Sequence, residues 1–190
     1  MLPTEKNILL FASGSGSNVK AILEYFKHDP IIRVPLIITN NPSAGVIDVA
    51  RKYNTDVLLL NRQHLDSPIL LDTLDLYQPQ LLVLAGFLKK IPEHMVNHYH
   101  QKIINIHPAL LPRHGGQGMY GMHVHQAVIN AKDSESGITI HHVNKEYDQG
   151  LHLLQKKLTI DPTDTPATLA AKVLQLEHHW YPRVIESLLK

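Results

Sequence analysis

The sequence predicts an α/β fold: a doubly wound, mostly parallel sheet with helices on both faces, closely linked late strands and a C-terminal helix. Three observations carry this. Short apolar runs alternate with amphipathic segments from residue 7 to residue 107. That order, strand then helix then strand, builds an open parallel sheet. The run "QLLVLAGF" (80–87) is apolar enough to be covered on both faces rather than wetted on one. Two later runs, "GITIHHV" (137–143) and "LHLLQKKLTI" (151–160), are separated only by "NKEYDQG". A link that short suits a hairpin-like or closely spaced pair, not another helical crossover.

The elements follow in order. "NILLFAS" (7–13) is an apolar run that stops at a Gly-rich turn, so it reads as a buried first strand. "SNVKAILEYFKH" (17–28) brings Val19, Ile22 and Phe26 to helical spacing, with Ser17 placed to cap. "IRVPLIIT" (32–39) is the second strand, and Pro35 within it indicates an edge or a bulge. After the turn "NNPSA" come a helix in "GVIDVARKYN" (45–54), a strand in "DVLLLN" (56–61) and a helix in "PILLDTLDLYQ" (68–78). The fourth strand, 80–87, leads to a short helix in "EHMVNHYH" (93–100) and a fifth strand in "KIINIH" (102–107). "PALLPRHGGQGMYG" (108–121) is a loop that enters a helix near "HVHQAVINA" (123–131). The last helix starts near Pro166 with Leu169, Val173, Leu176 and Trp180 on one face, and Pro182 is expected to kink or end it.

Size and composition narrow the function. A chain of 190 residues fits one domain, 1–190, with a real core. Eighteen basic residues face 17 acidic ones, so no global charge draws the chain to nucleic acid or to an acidic membrane. Cysteine is absent, which removes disulfides and thiolate chemistry. The opening "MLPTEKNILLF" lacks the basic segment and long apolar run of a signal peptide. No apolar stretch reaches the roughly 18 residues that a membrane span requires. The expectation is a soluble, cytoplasmic, single-domain protein.

Three stretches carry candidate chemistry. "ASGSGSN" (12–18) joins a strand to a helix, where small residues and helix N–H groups can close on an anion. It is neither the dinucleotide fingerprint, because Val19 stands where a third Gly belongs, nor a P-loop. The alternative is a tight turn that merely starts a helix. Asn105 and His107 lie two apart at the end of the fifth strand and so share a face. Ligands bind at the carboxyl ends of such strands, where an amide and an imidazole together can stabilise an oxyanion. The alternative is a capping or turn role. Asp148, before Gly150 in "YDQG", is either a turn former or the third partner of that pair. His-x-His at His123 and His125 and the adjacent His141 and His142 are weak metal signals without a carboxylate or third ligand at a recognised spacing.

"SGSGSN" after the first strand, "LAGF" (84–87), "NIHPALLP" (105–112), "GITIHHV" (137–143), "YDQG" (147–150) and "LEHHWYP" (176–182) occur in the order seen in one family. Over nearly its whole length the chain resembles the phosphoribosylglycinamide formyltransferases. The Asn-x-His-Pro-x-Leu-Leu-Pro element belongs to formyltransferases more widely, including the methionyl-tRNA enzyme and formyltetrahydrofolate hydrolase. The Gly-Ser-Gly-Ser-Asn loop narrows the choice. The resemblance implies Asn105, His107 and Asp148 as catalytic residues, and Gly14, Ser15, Gly16, Ser17 and Asn18 as binders of the substrate phosphate. It implies Glu177 near the ribose hydroxyls, and Leu84, Phe87, Leu88, Lys89, Ile91, Asn105 and Tyr147 along the folate. The implied reaction moves the formyl group of 10-formyltetrahydrofolate to the amine of glycinamide ribonucleotide in purine biosynthesis, with no metal. A protonated His107 and Asn105 would hold the oxyanion, and Asp148 would help move protons. Rival readings are the hydrolase, in which water replaces the amine, and a folate- or nucleotide-binding protein without catalysis. Two departures from the family pattern stand out. The loop 113–125 is longer and richer in Gly, as a lid or as a surface loop, and His152 stands where an apolar residue is expected.

Overall fold

Alternate residues of the first strand enter two different cores. In a computed structural model describing residues 5–190, β1 (Lys6–Phe11) sends Ile8 and Leu10 to one face of the sheet and Leu9 and Phe11 to the other, all fully buried. A strand apolar at every position must be covered on both sides, and this one is. Residues 1–4, which opened the leader-free reading, lie outside the described residues. The parallel strands are β1, β2 (Ile32–Thr39), β3 (Asp56–Leu59), β4 (Pro79–Leu84) and β5 (Ile103–His107). Next come β6 (Glu135–His142) and β7 (His152–Thr159), each antiparallel to its neighbour, in the order β3-β2-β1-β4-β5-β6-β7.

The helices divide between the faces. α1 (Ser17–Phe26), α2 (Val46–Tyr53), α6 (Met122–Asn130) and α7 (Pro166–Leu189) pack on the face of Ile8 and Leu10. α3 (Arg62–Leu65), α4 (Pro68–Asp75) and α5 (Glu93–His98) cover the face of Leu9 and Phe11. The chain winds outward from β1 to β3, then returns to place β4 on the other side of β1. Strand order therefore reverses between β1 and β4, which opens a crevice at their carboxyl ends. Among the described residues, no helix is long and apolar enough to cross a membrane.

Several local expectations change. Ser17 does not cap α1. Gly16 is the N-cap, at φ 77°, and no side chain closes the helix end. A Cβ on Gly16 would lie 2.8 Å from the Val46 backbone, so α2 packs where a side chain would stand. Pro35 is not on an edge strand. It sits where the β1–β2 register slips, and β3 pairs only from Leu36 onward, so the missing N–H costs no ladder bond on that side. α7 does not end at Pro182 but continues to Leu189, because Tyr181, Pro182, Val184 and Ile185 are all buried and packing outweighs the lost bond. Its buried stripe is Leu169, Val173, Glu177, Tyr181, Ile185 and Leu189, while Leu176 and Trp180 flank it half-buried. A polar residue inside that stripe hid it from an apolar count. His152 is exposed because β7 is the edge of the sheet.

Candidate active site

The crevice at the strand ends is a cleft of about 760 Å³. One wall begins at the turn after β1. Ser13 is buried there, with its N–H donating to Gly86 O at 3.0 Å. Its hydroxyl accepts from the Leu88 N–H at 2.9 Å and donates to Asn40 Oδ1 at 2.5 Å. Ser13 thus pins the turn after β1 to the turn after β4. Because Gly16 caps α1 without a side chain, the first N–H groups of that helix have no side-chain cap among the described residues. Ser15 and Asn18 line the cleft. Asn18 Nδ2 donates to Glu177 Oε2 at 2.5 Å, while Asn18 Oδ1 is buried with no partner among the described residues. Burial raises the Glu177 carboxyl to about 7, against the opposing hydrogen bond from Asn18.

Two strands and a link meet in the middle. Asn105 and His107 lie on β5, and His141 on β6 stands opposite Asn105 in the antiparallel register. Asp148 comes from the link before β7, at φ 56°, as the turn reading expects, and its carboxylate faces this centre. His107 Nδ1 is 3.6 Å from Asp148 Oδ2, and His141 Nε2 is 3.6 Å from Asp148 Oδ1. The Gly116 N–H donates to Asp148 Oδ2 at 2.9 Å. Gly150 lets the link turn here, since a Cβ would fall 1.6 Å from the His142 carbonyl oxygen.

The carbonyl partners assign the tautomers. A carbonyl only accepts, so His107 Nε2–H donates to His114 O at 2.8 Å and His141 Nδ1–H donates to His142 O at 2.9 Å. The titrating nitrogen of His107 is therefore Nδ1, the one facing Asp148. In neutral His141, Nε2 is free to accept from Asn105 Nδ2 at 3.3 Å. Burial pulls the His107 pKa down; Asp148 and the His114 carbonyl oppose this without reversing it. Burial would raise Asp148, but His141, His107 and the Gly116 N–H together hold it below the usual carboxylate range.

The second wall follows β4 and ends at the same centre. Leu84, Phe87, Leu88, Lys89 and Ile91 line it, with Tyr147 across the opening. Leu88 and Tyr147 are substantially exposed at the mouth, and Lys90 lies over the Tyr147 ring at 5.3 Å.

Comparison with known proteins gives the same frame. The formyl transferase family model matches residues 6–185. The chain belongs to the formyl transferase family. It is 38% identical over 193 residues to the chloroplastic phosphoribosylglycinamide formyltransferase of Arabidopsis thaliana, covering 98% of this chain and 66% of that protein. It thus spans just under two thirds of that relative's length. To the phosphoribosylglycinamide formyltransferase of Bacillus subtilis it is 33% identical over 190 residues, covering 97% of this chain and 95% of the relative. The crystal structure of phosphoribosylglycinamide formyltransferase from Anaplasma phagocytophilum superposes with a TM-score of 0.88 at 31% identity, covering 96% of this chain and 85% of that one.

Within this family member, the structure brings Asn105, His107, Asp148, Ser15, Asn18, Glu177 and the 84–91 wall to one cleft. Gly14, Gly16 and Ser17 shape the turn without lining it; Gly14 is exposed and Gly16 buried. Sequence reading took His141 and the buried His125 of α6 only as weak metal signals, yet both line the cleft. Polar residues at alternate positions were the signal: Thr139 and His141 share one face of β6, and both are buried. The loop after Pro112 supplies Gly116 through Gly121 to the opening, and α6 begins at Met122, so His123 and His125 are helical. Among the described residues, no group of three or more His, Cys, Asp or Glu is placed to hold a metal ion.

Proposed function

We propose that this chain transfers the formyl group of 10-formyltetrahydrofolate to the amine of 5'-phosphoribosylglycinamide, a step of purine biosynthesis. The observation that carries the reading is the two-armed cleft. One arm, with uncapped helix N–H groups, Asn18 and Glu177, suits a phosphorylated ribose. The other, with Phe87, Ile91 and Tyr147, suits the flat heteroaromatic pterin and its aryl tail. They meet at Asn105, His107 and Asp148. Gly14, Ser15, Gly16, Ser17 and Asn18 are assigned to the phosphate, Glu177 to the ribose, and Leu84, Phe87, Leu88, Lys89, Ile91, Asn105 and Tyr147 to the folate. Formyl folate enters as co-substrate, with no resident metal.

In this reading the neutral amine attacks the formyl carbon, forming a C–N bond and placing negative charge on the formyl oxygen. Asn105 Nδ2–H donates to that oxygen. His107, which takes a proton from solvent at Nδ1 before attack and keeps it throughout, stabilises the same charge, and Asp148 favours that imidazolium. Asp148, held ionised, passes the amine's proton toward N10 of the folate as the C–N10 bond breaks. The names carried by relatives support the acceptor: the B. subtilis protein is a phosphoribosylglycinamide formyltransferase.

The test is spectrophotometric deformylation of a 10-formyl folate with and without the ribonucleotide. Deformylation that requires the ribonucleotide is expected. An equal rate without it would replace the reading by a hydrolase, and none in either case would leave a binding protein.

A further inference from the structure

The residues that hold the reacting pair are themselves held from outside the cleft. Residues 114–116 touch both partners: the His114 carbonyl accepts from His107 Nε2, and the Gly116 N–H donates to Asp148 Oδ2. His114 sits at φ 54°, a conformation that few non-glycine residues keep without support. The support is Asp133, three residues past α6. Its Oδ2 accepts from His114 Nε2 at 2.7 Å, and its Oδ1 accepts from Arg113. The Asp133 side chain is 8% exposed and that of His114 15%, whereas Arg113 is 60% exposed. The His114 bond is therefore the shielded one, and the Arg113 bond faces water.

We propose that Asp133 and His114 are positioning residues, fixing the strand-to-helix loop so that its backbone orients His107 and Asp148. Neither side chain needs to touch a substrate. Without the Asp133 anchor, the 114–116 backbone relaxes, His107 Nε2–H loses its acceptor, and Nδ1 drifts from Asp148. Small displacements of reacting groups cost rate steeply. The kinetic part of this proposal rests on the function proposed above; the structural part does not.

Two readouts separate them. The first is NMR titration of the His107 ring in the free protein, for wild type, Asp133→Ala and Asp133→Asn. The groups that face His107 are Asp148, His141, His114 and, from α6, His125. Both variants remove the same negative charge, but only Asn keeps an acceptor for His114. Expected is a lower His107 titration in Asp133→Ala than in Asp133→Asn. Equal shifts would make Asp133 a remote charge and overturn the proposal. The second readout is steady-state kinetics. Asp133→Ala should lower kcat about tenfold or more with both KM values within about twofold, and Asp133→Asn should recover most of it. Arg113→Ala, which leaves the His114 bond in place, should match wild type; a loss as large as that of Asp133→Ala would overturn the proposal. If Asp133→Ala does not fold, His114→Gln, which keeps a donor, is compared with His114→Met, which lacks one, and the same order is expected. A ribonucleotide-independent wild type with the expected titration order would sink the proposed function and leave the anchor standing.

Discussion

Glu177 offers a test in which stability and pH are locked together. The carboxyl is buried, and its pKa is raised from 4.5 to about 7 by loss of water, with one compensating bond from Asn18 Nδ2. Protonated, it can donate to Asn18 Oδ1, which otherwise has no partner among the described residues. The folded state therefore binds the proton more tightly than the unfolded chain. Stability from this group is full below pH 4.5 and is lost as pH rises through about 7. A difference of about 2.5 pKa units corresponds to roughly 3 kcal/mol at 1.36 kcal/mol per unit. Glu177→Gln presents both an acceptor and a donor to Asn18 with no charge. Urea unfolding of both proteins at pH 5 and pH 8 reads the effect. Gln should be near neutral at pH 5 and stabilising by up to about 3 kcal/mol at pH 8. A variant equally destabilised at both pH values would refute the burial argument, because the penalty would then be packing rather than charge.

Other outcomes follow from single contacts. Asp148→Asn should keep its fold and lose about 100-fold or more in turnover; steady-state rates beside a thermal melt check it, and near-wild-type turnover would remove Asp148 from the chemistry. Gly16→Ala places a Cβ 2.8 Å from Val46 at φ 77°, so melting should reveal a loss of about 2–4 kcal/mol. The KM for the ribonucleotide should rise with it, and an unchanged KM would free the turn from phosphate binding. Tyr181→Phe removes the buried hydroxyl that donates to Leu84 O at 2.9 Å, and denaturant titration should show a loss of about 1–3 kcal/mol.

What the sequence made legible was local, and what it hid depended on pairing. Asn105 and His107 could be placed together because a strand's period of two is written in the chain itself. The turn after β1 could be found because a Gly-rich stretch between an apolar run and an amphipathic one has few other uses. His141 was equally close to the centre but stayed hidden. Its partnership with Asn105 exists only because β6 runs antiparallel to β5 in one register, and no local pattern states which strand neighbours which. Pro182 and Glu177 misled for a related reason: a proline is unfavourable inside a helix and a carboxylate is unfavourable on its buried face, yet tertiary contacts keep both buried, with Asn18 of α1 bonded to Glu177.

The change of strand direction at β6 explains why the centre can be assembled at all. Five parallel strands deliver their carboxyl ends to one rim, and that rim alone supplies Asn105, His107 and the turns after β1 and β4. A sixth parallel strand would bring only another carboxyl end. Antiparallel β6 lays its last residues, His141 and His142, beside Asn105 and Ile104. Its exit link then carries Asp148 back over the same rim before β7 begins. His107 and Asp148 thus come to 3.6 Å from segments that run in opposite directions. Shifting β6 by one residue against β5 would turn Thr139 and His141 to the other face of the sheet. Thr139 Oγ1 forbids that slip, because it accepts from the Leu111 N–H at 3.0 Å and donates to Ala109 O at 2.7 Å. One buried hydroxyl therefore ties the strand that carries His141 to the loop that leaves His107.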